Sequence, residues 1–201
     1  MKRTIIQTTY KKILADVYTP VGIYLRLRDR FRDTILLEST DFHAGENSYS
    51  FIGINAIAGI EISNPSVIEF KLPGQTAERI KITDPLAVPQ LLWEFMQRFE
   101  IKEAATKPVN VAQGLFGYMS YDAVQFFDSV KTTGDRPRAT EIPLMRYRLY
   151  QYVIAINHFK DELFICENHI QGIESEIAVI ESLIRSKDVP AFPFKSMGEE
   201  G

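Results

Sequence analysis

Asn64-Pro65 and Pro73-Gly74 cut one stretch of the sequence into apolar runs at 57–62, 67–72 and 79–82. Such runs are short for helices, and proline and glycine between them call for tight reversals. The chain is therefore expected to fold back on itself there as a meander of antiparallel strands. Other strand-like runs lie on either side. Residues 35–37 are a compact apolar run, 49–54 alternate loosely around Phe51, and 109–118 and 146–158 follow later. Lys160-Asp161 reads as a hairpin turn from the last of these into 163–166.

Helices are interspersed. Thr19-Pro20 is an N-cap followed by proline at the first helical position, where its missing N–H costs nothing. Ile23, Leu27 and Phe31 then recur at fourfold spacing. A second helix follows Asp84-Pro85, with Val88, Leu91, Leu92, Phe95 and Phe99 on one side. A third is expected from about Asn168, carrying Ile173, Ile177, Ile180 and Ile184, and a short fourth over 121–127. No strict strand–helix–strand rhythm runs through the chain. The expected class is α+β: a mostly antiparallel β-sheet with packed helices. Residues 134–143, rich in Gly, Pro, Arg and Thr, read as a mobile loop.

Composition narrows the function classes. Of 201 residues, 45% are hydrophobic and 11% aromatic, ample for a real core. Twenty-three basic and 26 acidic side chains leave a net charge of −3, which argues against a nucleic-acid partner. Arg26, Arg28, Arg30 and Arg32 could form a basic patch, but Asp29 and Asp33 interrupt them. A solvated face with local ion pairs is the favoured reading. No apolar run approaches the ~18 residues that span a bilayer, and the first residues lack an apolar signal core. The single cysteine, Cys166, has no partner for an intramolecular disulfide. A cytoplasmic location without a membrane partner is expected.

Motifs of known chemistry are missing. His43, His158 and His169 are far apart and in no metal-binding spacing. His158 lies in a strand-like run, His169 at an expected helix start. There is no nucleophile elbow and no phosphate-binding glycine loop. Gly114 and Gly117 frame an apolar string, read as a strand that packs closely rather than as a phosphate site. No catalytic residue and no metal ligand is assigned.

What remains are specific strings in a fixed order. T-P-V-G-I-Y-L-R-L begins at Thr19, L-L-E-S at Leu36, E-N-S-Y-S-F-I-G at Glu46 and G-L-F-G-Y-M-S-Y-D at Gly114; a long strand ends in Ile154-Ala155-Ile156-Asn157. Together, over residues 10–194, they resemble the amino-terminal domain of anthranilate synthase component I, of the chorismate-utilising enzymes. The resemblance implies a regulatory domain over 1–194. Residues 195–201 would begin a linker to an absent carboxy-terminal catalytic domain that binds chorismate and Mg²⁺. The parent enzyme would be a lyase of tryptophan biosynthesis. It would turn chorismate and ammonia, supplied by a glutamine amidotransferase subunit (component II), into anthranilate and pyruvate, while this segment alone is inactive.

The resemblance also implies feedback inhibition by L-tryptophan, with Leu37, Glu38 and Ser39 at the matching positions. Glu38 would pair with the ammonium and Ser39 would hydrogen-bond a polar group. Tyr49, Phe51 and Tyr118 would wall the indole. Read without the resemblance, Glu38-Ser39 is a strand end turning into the polar loop Thr40-Asp41-Phe42-His43. Two other readings stay open: the same segment of aminodeoxychorismate synthase component I, in folate synthesis, and a non-enzymatic small-molecule-binding module.

Overall fold

In the computed structural model, which describes residues 3–39, 48–102, 107–129 and 142–188, the run near residue 150 becomes the spine of one sheet. In chain order the elements are β1 (Thr4–Leu14), α1 (Pro20–Leu27), β2 (Ile35–Leu37), β3 (Tyr49–Asn64), β4 (Val67–Lys71) and β5 (Glu78–Lys81). Then come α2 (Val88–Met96), β6 (Phe99–Ile101), α3 (Lys107–Ala112), β7 (Phe116–Met119), β8 (Met145–Asn157), β9 (Glu162–His169) and α4 (Ile177–Arg185). Among the described residues the nine strands form one sheet in the order β5-β4-β3-β8-β9-β1-β6, with β2 added on β3 and β7 on β8. Only the β1–β6 pair is parallel. The class is α+β with a mostly antiparallel sheet.

The apolar run of β8 is continuous because helices cover both of its faces. Tyr152, Ile154 and Ile156 pack with Ile23 and Leu27 of α1 and Ile180 and Ile184 of α4. Val153 and Ala155 point the other way, onto Val109 and Ala112 of α3, with Phe116, Phe164 and Cys166. A strand buried on both sides loses the polar half of its alternation. A third cluster joins Ile60, Ile62, Ile68 and Phe70 to Val88 and Phe95 of α2.

Several expectations are corrected. Residues 49–54 and 57–62 are not two strands but one, β3. Asn55 adopts a positive φ of 58°, and the register shifts between Ala56 and Ala58, so the break in alternation is a bulge. Residues 109–118 are not one strand. Pro108 falls in the first turn of α3, which closes with Gly114 N–H bonded to Val111 O at 2.9 Å before β7 starts.

The helix expected from Asn168 begins instead at Ile177. Asn168 and His169 belong to β9, where Asn168 is buried and donates to the carbonyls of Ala112 and Tyr150, both at 2.8 Å. Gly172, at φ 87°, turns the chain before α4. Phe99 is not on α2 but on β6, although its ring meets Phe95 edge-on at 5.3 Å. Phe31 lies past the end of α1, and β1 and β6 have no counterpart in the expectations. The expected loop at 134–143 falls almost wholly outside the described residues, as do 195–201.

Candidate functional site

Leu36-Leu37-Glu38-Ser39 sits at the end of β2, which pairs with β3. Leu37 is the register partner of Phe51, and Leu36 that of Ile52. Tyr49 and Phe51 stack on one face of β3, with centroids 5.9 Å apart and rings 19° from parallel. Glu38 and Ser39 leave the strand and are exposed. Ser48 Oγ donates to Ser39 Oγ at 3.4 Å, and the carbonyl of Ser48 accepts from His158 N–H at 3.0 Å. Ser50 Oγ, buried on the face of β3 opposite Tyr49 and Phe51, lies 2.7 Å from Nε2 of His158, just past the end of β8. The exposed Glu38 and the Ser39–Ser48 hydroxyl pair thus lie at the end of the Leu37–Phe51 pairing. Thr40, Asp41, Phe42 and His43 lie outside the described residues.

Tyr118 is not part of that strand end. It lines a cleft of about 200 Å³ whose walls are Asp33, Thr34 and Ile35 before and in β2, Phe116 and Gly117 of β7, and Arg146, Arg148 and Tyr150 of β8. The two places are joined through rings: Phe51 lies 5.8 Å from Phe116, and Phe116 meets Tyr150 edge-on at 6.3 Å. Two glycines make the close approaches possible. A Cβ on Gly117 would come within 1.8 Å of Arg146 O, and one on Gly53 within 2.6 Å of the Tyr150 ring.

The electrostatics of the cleft centre on Glu61, the register partner of Arg146. Its Oε2 accepts from Arg146 Nε at 2.8 Å and from an Arg148 terminal nitrogen at 2.6 Å, and Oε1 accepts from Ser63 Oγ at 2.8 Å. Burial by itself would raise the Glu61 pKa, but the bonds from Arg146, Ser63 and Arg148 outweigh it and hold the carboxyl at about 2. Arg146 is raised in turn, chiefly by its bond to Glu61. Tyr150 is pushed up to about 12 by burial first and then by the nearby Asp33 charge. Its hydroxyl stays protonated.

Sequence reasoning missed Asp33, Glu61, Arg146 and Arg148. A weak signal existed: Arg146 and Arg148 are charges two apart at the mouth of an otherwise apolar strand, hence on one face. Their acidic partner is 85 residues away from Arg146 and only strand pairing brings it there. Among the described residues no three His, Cys, Asp or Glu side chains come together to hold a metal ion.

No protein-family model matches the chain. Curated relatives do. Anthranilate synthase component 1 of Lactococcus lactis is 21% identical over 169 residues, which is 83% of this chain and 33% of that protein. Its namesake from Pseudomonas aeruginosa is 32% identical over 62% of this chain and 24% of its own length. The one from Acinetobacter calcoaceticus is 25% identical over 87% of this chain and 36% of its own. The chain is related to anthranilate synthase component 1. It spans about a third of the length of such relatives. A solved structure of anthranilate synthase component I from Streptococcus pneumoniae overlaps 86% of this chain and 35% of its own, at 21% identity and a TM-score of 0.46.

Proposed function

We propose that this chain is the amino-terminal, regulatory part of an anthranilate synthase component I. The observation that carries the reading is that relatives bearing this one name align over 83% and 87% of the chain. The complete enzyme would take chorismate, with ammonia from a glutamine amidotransferase subunit, to anthranilate and pyruvate. Ring amination with loss of hydroxide needs a general acid, because hydroxide is a poor leaving group. The residues for that step, and those that would hold Mg²⁺, are assigned to the part of the enzyme beyond the described residues. The 201-residue chain alone is expected to turn over no chorismate.

The described residues would instead contribute one wall of a tryptophan feedback site. Leu37, Glu38 and Ser39 supply the strand end, with Tyr49 and Phe51 adjoining. Glu38 suits the ligand's ammonium, the Ser39–Ser48 hydroxyl pair suits its polar atoms, and the stacked rings suit an indole. Tyr118, which lines the separate cleft, drops out of this wall.

The test is Ser39→Phe in an enzyme that carries this chain. A bulky ring would fill ligand volume and remove the hydroxyl. Tryptophan inhibition is expected to fall by tenfold or more, at roughly 1.4 kcal/mol per tenfold, with uninhibited chorismate turnover little changed. Assays of anthranilate fluorescence at rising tryptophan decide it, and a variant inhibited as strongly as the parent would move the site elsewhere.

A further inference from the structure

The cleft between β2, β7 and β8 has no role in the reading above. Its two arginines differ in how far they are committed. Arg148 is tied down on several sides: one terminal nitrogen to Glu61, the other to the carbonyls of Ile60 and Tyr147 at 3.4 and 3.3 Å. Arg146 gives only Nε to Glu61, and among the described residues its two terminal nitrogens have no hydrogen-bond partner. A guanidinium held by one edge presents the other edge as a ready fork for a carboxylate. Glu61, ionised down to about pH 2, keeps that fork in place without covering it.

The other lining groups narrow the ligand. Asp33 lies on the opposite wall, in a left-handed conformation at φ 49° that Asp tolerates and that fixes where its side chain starts. Arg146, Arg148, Glu61 and Asp33 sum to zero charge, which favours a neutral zwitterion over a net anion. Phe116, Tyr118 and Tyr150 supply flat apolar surface. The volume of about 200 Å³ sits below that of sites for drug-sized molecules and suits a single ring with a short polar arm. We propose that this cleft is a second small-molecule site, for an aromatic amino acid of single-ring size. The carboxylate would sit on Arg146, the ammonium on Asp33 and the ring against Phe116 and Tyr118. Its lining shares no residue with the strand end at Leu37, Glu38 and Ser39 or with Tyr49 and Phe51.

Calorimetric titration of the 201-residue chain with L-phenylalanine, benzoate and phenethylamine tests both charge contacts at once. Phenylalanine is expected to bind with a Kd at or below about 1 mM, and each one-armed analogue roughly tenfold more weakly. Arg146→Gln should weaken phenylalanine binding about tenfold or more. Asp33→Asn, which keeps a residue that accepts φ 49°, should do the same for phenylalanine while leaving benzoate unweakened. Should Arg146→Gln lose its cooperative melting transition, Asp33→Asn decides alone. No heat up to 10-fold above that Kd, equal affinity for benzoate and phenylalanine, or a folded Asp33→Asn chain that binds as before would overturn the proposal. Ser39→Phe separates this site from the feedback site: it should leave phenylalanine binding unchanged here, and a loss in that variant would sink the claim of two sites.

Discussion

At the scale of single residues, Glu61 is the group on which the cleft depends. Its ordinary pKa of 4.5 falls to about 2 because two guanidiniums and a serine hydroxyl bond its ionised form. The folded carboxyl is thus more acidic than the unfolded one, so its contribution is complete above about pH 4.5 and is lost as pH falls toward 2. The shift corresponds to roughly 3 kcal/mol at most, less what solvent screens at a side chain 16% exposed. Glu61→Gln should lower stability at pH 7 by about 2 kcal/mol and flatten the decline between pH 4.5 and 2. Urea midpoints at pH 7, 4 and 2.5 check it, and a variant with the parent's acid limb would show that Glu61 is not its source. Cys166 shows the opposite case: burial without a partner pushes its thiol up to about 12.

At the scale of elements, local sequence rules work where the neighbouring chain supplies every partner. Thr19 has extended backbone and its Oγ1 accepts from Gly22 N–H at 3.0 Å, with Pro20 at the first helical position. Thr19→Ala removes that acceptor and should cost about 1 kcal/mol, read as a lower denaturation midpoint. An unchanged midpoint would mean that the cap contributes nothing to α1. The fault in reading α4 has a clear cause. Ile173, Ile177, Ile180 and Ile184 keep helical spacing, but Ile173 packs from a turn, not from a helix. The entry to α4 is fixed from afar, by the buried Tyr152 hydroxyl accepting from Glu176 N–H at 2.5 Å. Periodicity reports which residues are inside, but not which core they join: Ile173 packs on the cluster around Ile60 and Phe95, and Ile177, Ile180 and Ile184 on the one around Tyr152.

At the scale of the whole molecule, β8 lies between β3 and β9 and is covered on both faces, whereas β5 and β6 are short and lie at the ends of the sheet. Opening β8 requires breaking into all three clusters and the pairings with both β3 and β9, while the ends can fray alone. Hydrogen exchange should therefore be slowest in 149–156 and fastest among strands in 78–81 and 99–101, by about a hundredfold or more. Equal protection across the sheet would contradict a cooperative core centred on β8.

The sequence alone determined the class of fold, the N-cap of α1, the meander over β3, β4 and β5, and the relationship carried by L-L-E-S and Y-S-F-I-G. All of these rest on contacts within a few residues or on strings whose order is visible. The structure pairs Leu37 directly with Phe51 across β2 and β3. Only the tertiary structure decided that 49–64 is a single bulged strand, that Asn168 is a buried strand residue, and that Tyr118 faces a cleft apart from Ser39. It alone joined Arg146 and Arg148 to Glu61, and Asp33 to the far wall. A charge in a strand is legible in sequence, but its partner is chosen by register across the sheet. That register is set by the packing of α1, α2, α3 and α4 on the two faces, which no local pattern contains.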